Sequence, residues 1–350
     1  MLMRRDVQPA RERLHIVPAT PSDLDTAAAA ADPRHLFLRG AWVAACEGAR
    51  LSAILRGDGS ALAAFGLVDR HVGPLKVREV AGSYWPFRSM AVAADAAPHE
   101  MTAMFADRAM RRVLGRVWRL GPVFADDPSA NKVRQAAVAS GWAVLERQLG
   151  SCFEIDMRAL TAESAWPRAS TLKKNRWREK KLGEIGALES RRFTGADWLA
   201  EDRDAIAGIE RNSWLATEAG AGLQFADERQ RRIWEGVAAD PELAAKLCGS
   251  ILRVGDTPAA FTFGLRVGPT LYQIANNYDE RFAQYSPGRT LLIREFEQAA
   301  RDGIERISWG SGDAGYKSEM GAQAGPEIID LLFVRPKAAA AALGRLWKAA

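Results

Sequence analysis

The chain has 350 residues, of which 48% are hydrophobic and 26% charged, and its net charge is +5. At roughly 100–200 residues per domain, this length and composition predict a globular protein with one large or two ordinary domains. The mild positive balance favours anionic ligands, but it lacks the large excess of cations that is typical of nucleic-acid-binding domains.

Neither the cysteines nor the histidines are spaced like metal ligands. Cys46, Cys152 and Cys248 are odd in number and far apart, and all four histidines precede residue 100. This pattern predicts free thiols and no metal centre. The N-terminus is charged rather than apolar, and no stretch reaches the roughly 18 apolar residues of a membrane span. We therefore expect a cytoplasmic protein without a membrane span.

The first half of the chain predicts a strand meander followed by helices and two further strands. Residues 1–35 mix charge, proline and alanine, and predict a loosely attached lead-in with one short helix. Alternating apolar residues and Gly-containing turns predict the strands, and longer amphipathic stretches predict the helices. The predicted order is strands 51–56, 61–68 and 75–81, helix 99–116, strand 117–124, helix 128–141 and strand 142–155.

The second half repeats this order. Its predicted elements are strands 247–254, 259–267 and 270–278, helix 287–302, strands 304–309 and 328–334, and a helix after Pro336. The repetition predicts an α/β protein with a duplicated fold, in which two mixed, mostly antiparallel sheets are flanked by helices. We expect a lead-in (1–35), an N-terminal domain (36–165) and a C-terminal domain (166–350), with the boundary near 158–170.

One helix of the second copy begins with residues suited to anion binding. The segment Ser286-Pro287-Gly288 combines a preferred N-cap, a residue favoured in the first helical turn, and a glycine that lets a ligand approach the main chain. A helix that begins in this way points free N–H groups and the positive end of its dipole outward. The segment therefore indicates a phosphate site, although Ser-Pro-Gly also begins helices that bind nothing.

The context of this segment resembles a known family. Tyr278-Asp279-Glu280-Arg281, Ser286-Pro287-Gly288 and the loop Gly310–Lys317 resemble acyltransferases of the N-acetyltransferase (GNAT) superfamily, in the CelD/BcsL-like group of cellulose and exopolysaccharide biosynthesis. This group is distantly similar to the FemAB peptidyltransferases, which carry two GNAT folds and take their acyl group from aminoacyl-tRNA. The resemblance covers about 165–335 well and implies a tandem GNAT fold. Of the usual pyrophosphate signature, Gln/Arg-x-x-Gly-x-Gly/Ala, this chain keeps only the central glycine.

The resemblance also implies roles for residues of the second copy. The donor's pantetheine arm would lie along 271–275, and its diphosphate would bind the main chain at the helix start, Ser286, Pro287, Gly288, Arg289 and Thr290. Tyr316 is expected to donate a proton to the leaving thiolate. Asp279 and Asp313 are the candidate bases, and Lys317 would hold an anionic group or stabilise the oxyanion. Each of these four also suits a structural role, as a packed ring, a turn former, a loop cap or a surface charge.

The first copy lacks a glycine at the corresponding helix start, so we assign it to substrate binding and scaffolding. Tyr84, Trp85 and Arg88 are candidates for contact with a sugar or peptide, because aromatic faces beside a cation suit such ligands, although core packing is an equally ordinary role. Trp214 matches a Trp position of the same family and is expected beside the acceptor cleft.

A basic helix is predicted at 171–182. Six of the nine residues at 173–181 are cationic and would cover roughly 200° of the helix, with Trp177 near the middle and Leu172 and Leu182 opposite. This face predicts a site for an anionic ligand, such as a charged polymer, a tRNA acceptor arm or a nucleotide-linked sugar, with Trp177 stacking on it. The alternative is a solvated surface whose long side chains cover the tryptophan.

Three functions remain open from the sequence. The first is an N- or O-acyltransferase that moves an acyl group, such as acetyl, from acyl-CoA to an amine or hydroxyl of a cell-envelope or exopolysaccharide precursor. The second is a FemAB-like aminoacyl-tRNA-dependent transferase. The third is a catalytically degenerate GNAT fold that only binds a partner.

Overall fold

The computed structural model describes residues 14–73, 75–82, 85–163, 166–217, 222–312 and 315–349. The chain divides into two compact units. Unit 1 comprises 1–148 and 329–350, and unit 2 comprises 149–328. The sequence predicted a single boundary near 158–170 and placed 329–350 in the second domain, so the observed division differs at both points.

The structure describes thirteen strands, of which ten follow the predicted order and three, at 15–18, 91–92 and 188–194, were not predicted. The strands are β1 (His15–Pro18), β2 (Arg50–Leu55), β3 (Ala61–Val72), β4 (Leu75–Val80), β5 (Ala91–Val92), β6 (Val117–Phe124), β7 (Ala143–Asp156), β8 (Leu188–Thr194), β9 (Leu247–Val254), β10 (Thr257–Val267), β11 (Thr270–Tyr278), β12 (Arg306–Ser311) and β13 (Gln323–Val334). Strands β7 and β13 contribute residues to both units.

The helices are α1 (Pro21–Ala29), α2 (Gly40–Ala44), α3 (Pro98–Ala106), α4 (Arg108–Leu114), α5 (Pro128–Ala139), α6 (Met157–Glu163), α7 (Ala169–Gly183), α8 (Ala200–Arg211), α9 (Glu228–Ala239), α10 (Pro241–Ala244), α11 (Pro287–Arg301), α12 (Tyr316–Glu319) and α13 (Lys337–Ala349). Short 3-10 segments lie at Pro33–Leu38, Gly195–Asp197, Trp214–Thr217 and Glu280–Tyr285.

The prediction of one helix over 99–116 is wrong. Asp107 has extended backbone angles, which end α3, and its carboxylate accepts hydrogen bonds from the amides of Ala109 (2.6 Å) and Met110 (3.2 Å). It is therefore the N-cap of a second helix, α4. Apolar periodicity alone does not reveal such a break, because both helices bury their apolar faces.

The sheet of unit 1 has the order β1-β2-β3-β4-β6, followed by residues of β13 and β7, and β5 pairs with β3. The loosely attached lead-in expected at 1–35 is wrong for its described part. Strand β1 pairs with β2 over four residues, and α1 buries Leu24, Ala27 and Ala28 in a core cluster. Residues 14–29 are thus an integral part of unit 1.

The sheet of unit 2 has the order β8-β9-β10-β11-β12, followed by residues 149–156 of β7. Strands β8 to β11 form an antiparallel meander, whereas β11 and β12 are parallel. Their pairing covers only Thr270 to Tyr272 of β11 and Arg306 to Ser308 of β12. The described remainder of β11, up to Tyr278, is not paired with β12, and the two strands part at this point.

Helix α11 lies against this sheet and is held there by its apolar face. Leu291, Leu292, Ile293, Phe296 and Ala299 are all buried. Phe296 packs edge-on against Trp309 of β12, with ring centroids 5.0 Å apart. At about 0.8 kcal/mol per buried methylene group, this face fixes the helix firmly. Its N-terminus is therefore held near the end of β11.

Candidate functional site

The N-terminus of α11 is not capped by its own N-cap side chain. Ser286 has left-handed backbone angles (φ 46°, ψ 57°), and its hydroxyl makes no capping hydrogen bond. Its carbonyl accepts the amide of Thr290 at 3.2 Å. The amides of Gly288 and Arg289 belong to the first turn, which has no acceptor within the helix. The first turn also contains no acidic residue, so its positive end is open to an anion.

Gly288 allows a close approach of the helix to the end of β11. A Cβ atom at this position would lie 3.2 Å from a ring carbon of Tyr278, which is tighter than ordinary van der Waals contact. A larger side chain would displace the tyrosine ring or occupy the space beside the free amides. Burial raises the pKa of the Tyr278 phenol, which therefore stays protonated near neutral pH.

A cavity of about 350 Å³ opens at this helix start. Its walls come from α7, the 3-10 segment at 214–217, the end of β11, the start of α11 and the start of α12. The lining residues are Arg178, Trp214, Leu215, Asn276, Asn277, Tyr278, Ser286, Gly288, Arg289, Leu292 and Tyr316. The described lining contains two arginines and no carboxylate.

The two arginines give the cavity an excess of positive charge. Arg289 donates to Glu319 (2.6 Å), a carboxylate that is mostly in solvent, and its Nε is buried without a partner among the described residues. Arg178 is only 6% exposed, and its Nη1 donates to Asn175 at 3.2 Å. Burial, followed by the positive charge of Arg289, lowers the pKa of Arg178. Since arginine stays protonated in proteins, an anion in this cavity would relieve the repulsion.

Asp279 lies at the end of β11 and is 1% exposed. Its carboxylate accepts from Nδ2 of Asn212 (3.0 Å) and from Nη2 (2.7 Å), Nε (2.9 Å) and the amide (2.9 Å) of Arg281. Burial acts to raise its pKa, but the hydrogen bonds from Arg281 and Asn212 outweigh it, and the pKa of Asp279 is lowered. These contacts favour a positioning role for Asp279 over that of a base.

A buried polar network fixes the wall that carries Trp214. Asn277 donates to the hydroxyl of Ser213 at 2.9 Å, and that hydroxyl donates to the carbonyl of Glu210 at 2.7 Å. The Glu210 carboxylate accepts the amides of residues 224–226. Burial raises the pKa of Glu210 despite these bonds. Trp214 follows directly, lines the cavity and remains 49% exposed. Its predicted place beside the acceptor stays a prediction.

Tyr316 and Lys317 begin α12 beside the end of β12. The Tyr316 ring lines the cavity and meets Trp309 edge-on at 5.4 Å. The Trp309 indole donates to Asn276 of β11 at 3.1 Å, so it bridges the two strands where they part. Lys317 is buried, and its ammonium donates to the carbonyls of Trp309 (2.8 Å), Gly310 (3.4 Å) and Ser311 (3.1 Å). These three bonds match its three protons and make Lys317 a clamp for this loop.

The corresponding helix of unit 1 is capped by its own carboxylate. Glu100 accepts the amide of Ala97 at 2.7 Å, at the start of α3, and pairs with Arg56 at 2.6 Å. These bonds lower the pKa of Glu100 despite the opposing effect of burial. The positive end of α3 is thus already neutralised within the chain.

The edge of β6 in unit 1 is also occupied by the chain itself. Pairing of β4 with β6 is recorded at Arg78 and Glu79. Beyond it, the main chain of Arg88 bonds to β6. Its amide donates to the carbonyl of Pro122 (3.0 Å), and its carbonyl accepts the amide of Gly121 (2.9 Å). Trp85 is 4% exposed and lies in the core. Trp85 was predicted to contact substrate, but the structure places its side chain in the core of unit 1. The predicted contact of the Arg88 side chain with substrate stays a prediction, since these bonds to β6 involve only its main chain. Tyr84 and Asp313 lie outside the described residues, so their predicted roles stay predictions.

Helix α7 confirms the predicted helix at 171–182 but turns one cation inward. Lys173, Lys174, Arg176 and Lys180 are exposed, as expected. Trp177 is 51% exposed and meets Tyr285 edge-on at 6.2 Å. Arg178 instead lies on the buried face with Asn175 and Leu182. The signal for this was present in the spacing, because 171, 175, 178 and 182 recur on one side of a helix.

Among the described ranges, there is no group of three or more His, Cys, Asp or Glu side chains that could bind a metal ion. In the same part of the chain, no helix combines the length and apolar character that crossing a bilayer requires.

Sequence comparison identifies the domain that carries this cavity. A family model described as an acetyltransferase (GNAT) domain matches residues 169–318. Residues 169–318 are thus similar to GNAT acetyltransferase domains. The predicted enzyme class, an acyltransferase, is thereby confirmed for this domain, which contains every residue of the cavity. No curated protein matches the chain at a significant level.

Solved structures share the fold of both units. FemX aligns over 94% of this chain and 100% of its own, with a TM-score of 0.61 and 11% identity. A conserved protein of unknown function from Bacteroides thetaiotaomicron aligns over 92% and 100% (TM-score 0.57, 16% identity). L-PGS from Bacillus licheniformis aligns over 93% and 94% (TM-score 0.55, 12% identity). The predicted α/β fold class, a tandem GNAT fold, is confirmed, and the fold is similar to that of FemX. The narrower resemblance to the CelD/BcsL-like group stays a prediction.

Proposed function

We propose that the GNAT domain transfers an acyl group from acyl-CoA to an amine or hydroxyl of a glycan precursor of the cell envelope or an exopolysaccharide. The observation that carries this proposal is the open N-terminus of α11, where two arginines and free main-chain amides meet at one cavity. A diphosphate carries two charges and several acceptor oxygens, and such a group suits a helix start of this kind. The matched acetyltransferase domain supports a thioester donor.

The chain's own residues fit the donor at two places. The amides of Gly288 and Arg289, the Arg289 side chain and Arg178 would hold its diphosphate. After Tyr272, β11 pairs with β10 but no longer with β12, and its free edge offers main-chain groups to the extended arm of the donor. Bound acyl-CoA supplies an activated thioester carbonyl, and the protein contributes position and proton transfer.

Proton transfer falls to residues near the start of α12. As the acceptor's nitrogen or oxygen forms its bond to the acyl carbon, it loses a proton, and as the carbon–sulfur bond breaks, the sulfur gains one. Tyr316 lines the cavity and is the proposed donor to sulfur. Asp313, close to it in sequence, is the proposed acceptor of the nucleophile's proton. Asp279 and Lys317 act in this proposal by holding the ends of β11 and β12.

Calorimetric titration with acetyl-CoA tests the donor site. We expect micromolar binding to the wild type and at least a tenfold loss for Gly288→Val, since its side chain would crowd Tyr278 and the free amides. Gly236→Val is the matched control, because a Cβ atom at Gly236 meets nothing within 4 Å. Equal binding by both variants would contradict the proposal. Binding of aminoacyl-tRNA without binding of acetyl-CoA would favour the FemAB-like alternative.

A further inference from the structure

The outer face of α7 carries cations around an exposed aromatic ring. At about 100° per residue, Lys173, Trp177 and Lys180 fall within roughly 60° of one another, and they form a stripe about 10 Å long. Lys174 and Arg176 lie one on each side of these three residues, and both are exposed. The Trp177 ring stands between cations with half of its surface in solvent. We call these five residues the α7 stripe.

The carboxylates nearest in sequence do not neutralise the α7 stripe. Glu179 accepts from Arg294 of α11 at 2.7 Å, which turns it toward the buried side of α7. Glu184 pairs with Lys181 at 2.7 Å, beyond the end of the stripe. Among the described residues, no carboxylate pairs with the four cations of the α7 stripe. An exposed aromatic ring with such cations on both sides suits a ligand that offers both a ring face and negative charges.

The α7 stripe also leads to the cavity. The same helix presents Arg178 to the cavity from its inner side. Trp177 contacts Tyr285, and the next residue, Ser286, lines the cavity. A chain molecule lying along the outer face of α7 would therefore pass close to the cavity at Ser286.

We propose that the α7 stripe binds an acidic polysaccharide, one that carries carboxylates on its sugar rings, and presents it as the acceptor. This inference rests on the proposed function and names the acceptor's class. A carboxylated glycan fits better than a nucleic acid for two reasons. One exposed ring serves a single sugar, whereas single-stranded nucleic acids stack on successive aromatic rings. The net charge of the whole chain, +5, is also small for tight phosphate binding.

Binding of a defined oligogalacturonate, measured by calorimetry without acetyl-CoA, tests this proposal. We expect oligogalacturonate to bind the wild type with an affinity that falls as salt is added. We expect neutral dextran not to bind. Lys173→Gln with Lys180→Gln should weaken binding roughly three- to tenfold, and Trp177→Ala about fivefold. Arg229→Gln with Arg232→Gln removes two exposed charges from α9 and should leave binding unchanged.

Three results would overturn the proposal: no binding of oligogalacturonate, equal binding of dextran, or equal losses in the α7 and α9 variants. Tighter binding of tRNA than of oligogalacturonate would overturn it as well. Thermal melts of each variant separate lost binding from lost folding. Acetyl-CoA titrations of the α7 variants distinguish the two proposals, because Lys173, Trp177 and Lys180 do not line the cavity. If the wild type binds acetyl-CoA but not oligogalacturonate, this inference fails while the proposed function stands.

Discussion

Asp279 and Lys317 have side chains that could take part in catalysis, but their hydrogen bonds give them a structural role. The sequence suggested a base and an oxyanion stabiliser, because both lie in the family-like motifs. In the structure, four hydrogen bonds saturate the Asp279 carboxylate, and three carbonyls take the protons of Lys317. Residue type does not reveal which nearby groups a side chain will bind: Arg281 lies two residues after Asp279, and Lys317 binds carbonyls six to eight residues before it. Of these partners, only Asn212, at the end of α8, is distant in sequence.

The lowered pKa of Asp279 predicts a pH-dependent stability. A carboxylate whose folded pKa lies below its unfolded value of about 3.9 stabilises the fold at higher pH, and this contribution is lost as the pH falls. Asp279→Asn should cost about 1–3 kcal/mol near pH 7.

Chemical denaturation at several pH values measures this effect. The difference between wild type and Asp279→Asn should shrink as the pH falls below about 4. Asn212→Ala, which removes a neutral partner of the same carboxylate, should destabilise the protein while largely keeping its pH dependence. A difference between wild type and Asp279→Asn that is constant from pH 7 to pH 3 would contradict this account.

At the scale of elements, the start of α11 depends on a conformation that L-residues rarely adopt. Ser286 is the one non-glycine residue in the described part of the chain with a positive φ. The left-handed conformation costs about 1–2 kcal/mol for a residue with a Cβ atom, and more for a β-branched one. This geometry turns the chain so that α11 begins beside β11.

Substitution at Ser286 tests this geometry. Ser286→Gly should keep or raise the free energy of unfolding, whereas Ser286→Val should lower it by about 1–2 kcal/mol relative to the glycine variant. Urea denaturation of the two variants, with the wild type between them, is the measurement. Equal stability of the glycine and valine variants would show that position 286 is not held in the left-handed region.

The elements themselves were largely predictable, because their signals are local. Strands β6, β9 and β11 have the predicted bounds, and α11 differs by one residue. The break between α3 and α4 was missed, because Asp107 looks like any exposed helical residue until its capping bonds are seen. The inward turn of Arg178 was also missed, since a cation within a basic run is ordinarily expected in solvent.

At the scale of the molecule, two units of one fold differ in whether their helix start is open. In unit 1, Glu100 caps α3 and the segment at 86–88 bonds to β6. In unit 2, α11 has no acidic residue in its first turn, and β11 continues past Tyr272 without pairing to β12. This asymmetry predicts a single acyl-donor site per chain, although both units share their strand order. The sequence pointed to the same asymmetry through the glycine that only the second copy has at its helix start.

The most direct test is amide hydrogen exchange, followed by mass spectrometry, on the wild-type protein with and without acetyl-CoA. The account predicts slower exchange in peptides covering 286–292 and 273–278, because the donor would occupy the amides of Gly288 and Arg289 and lie along β11. It predicts no change in peptides covering 97–103 of unit 1. Protection at 97–103 with none at 286–292 would contradict the central claim that the start of α11 holds the acyl donor.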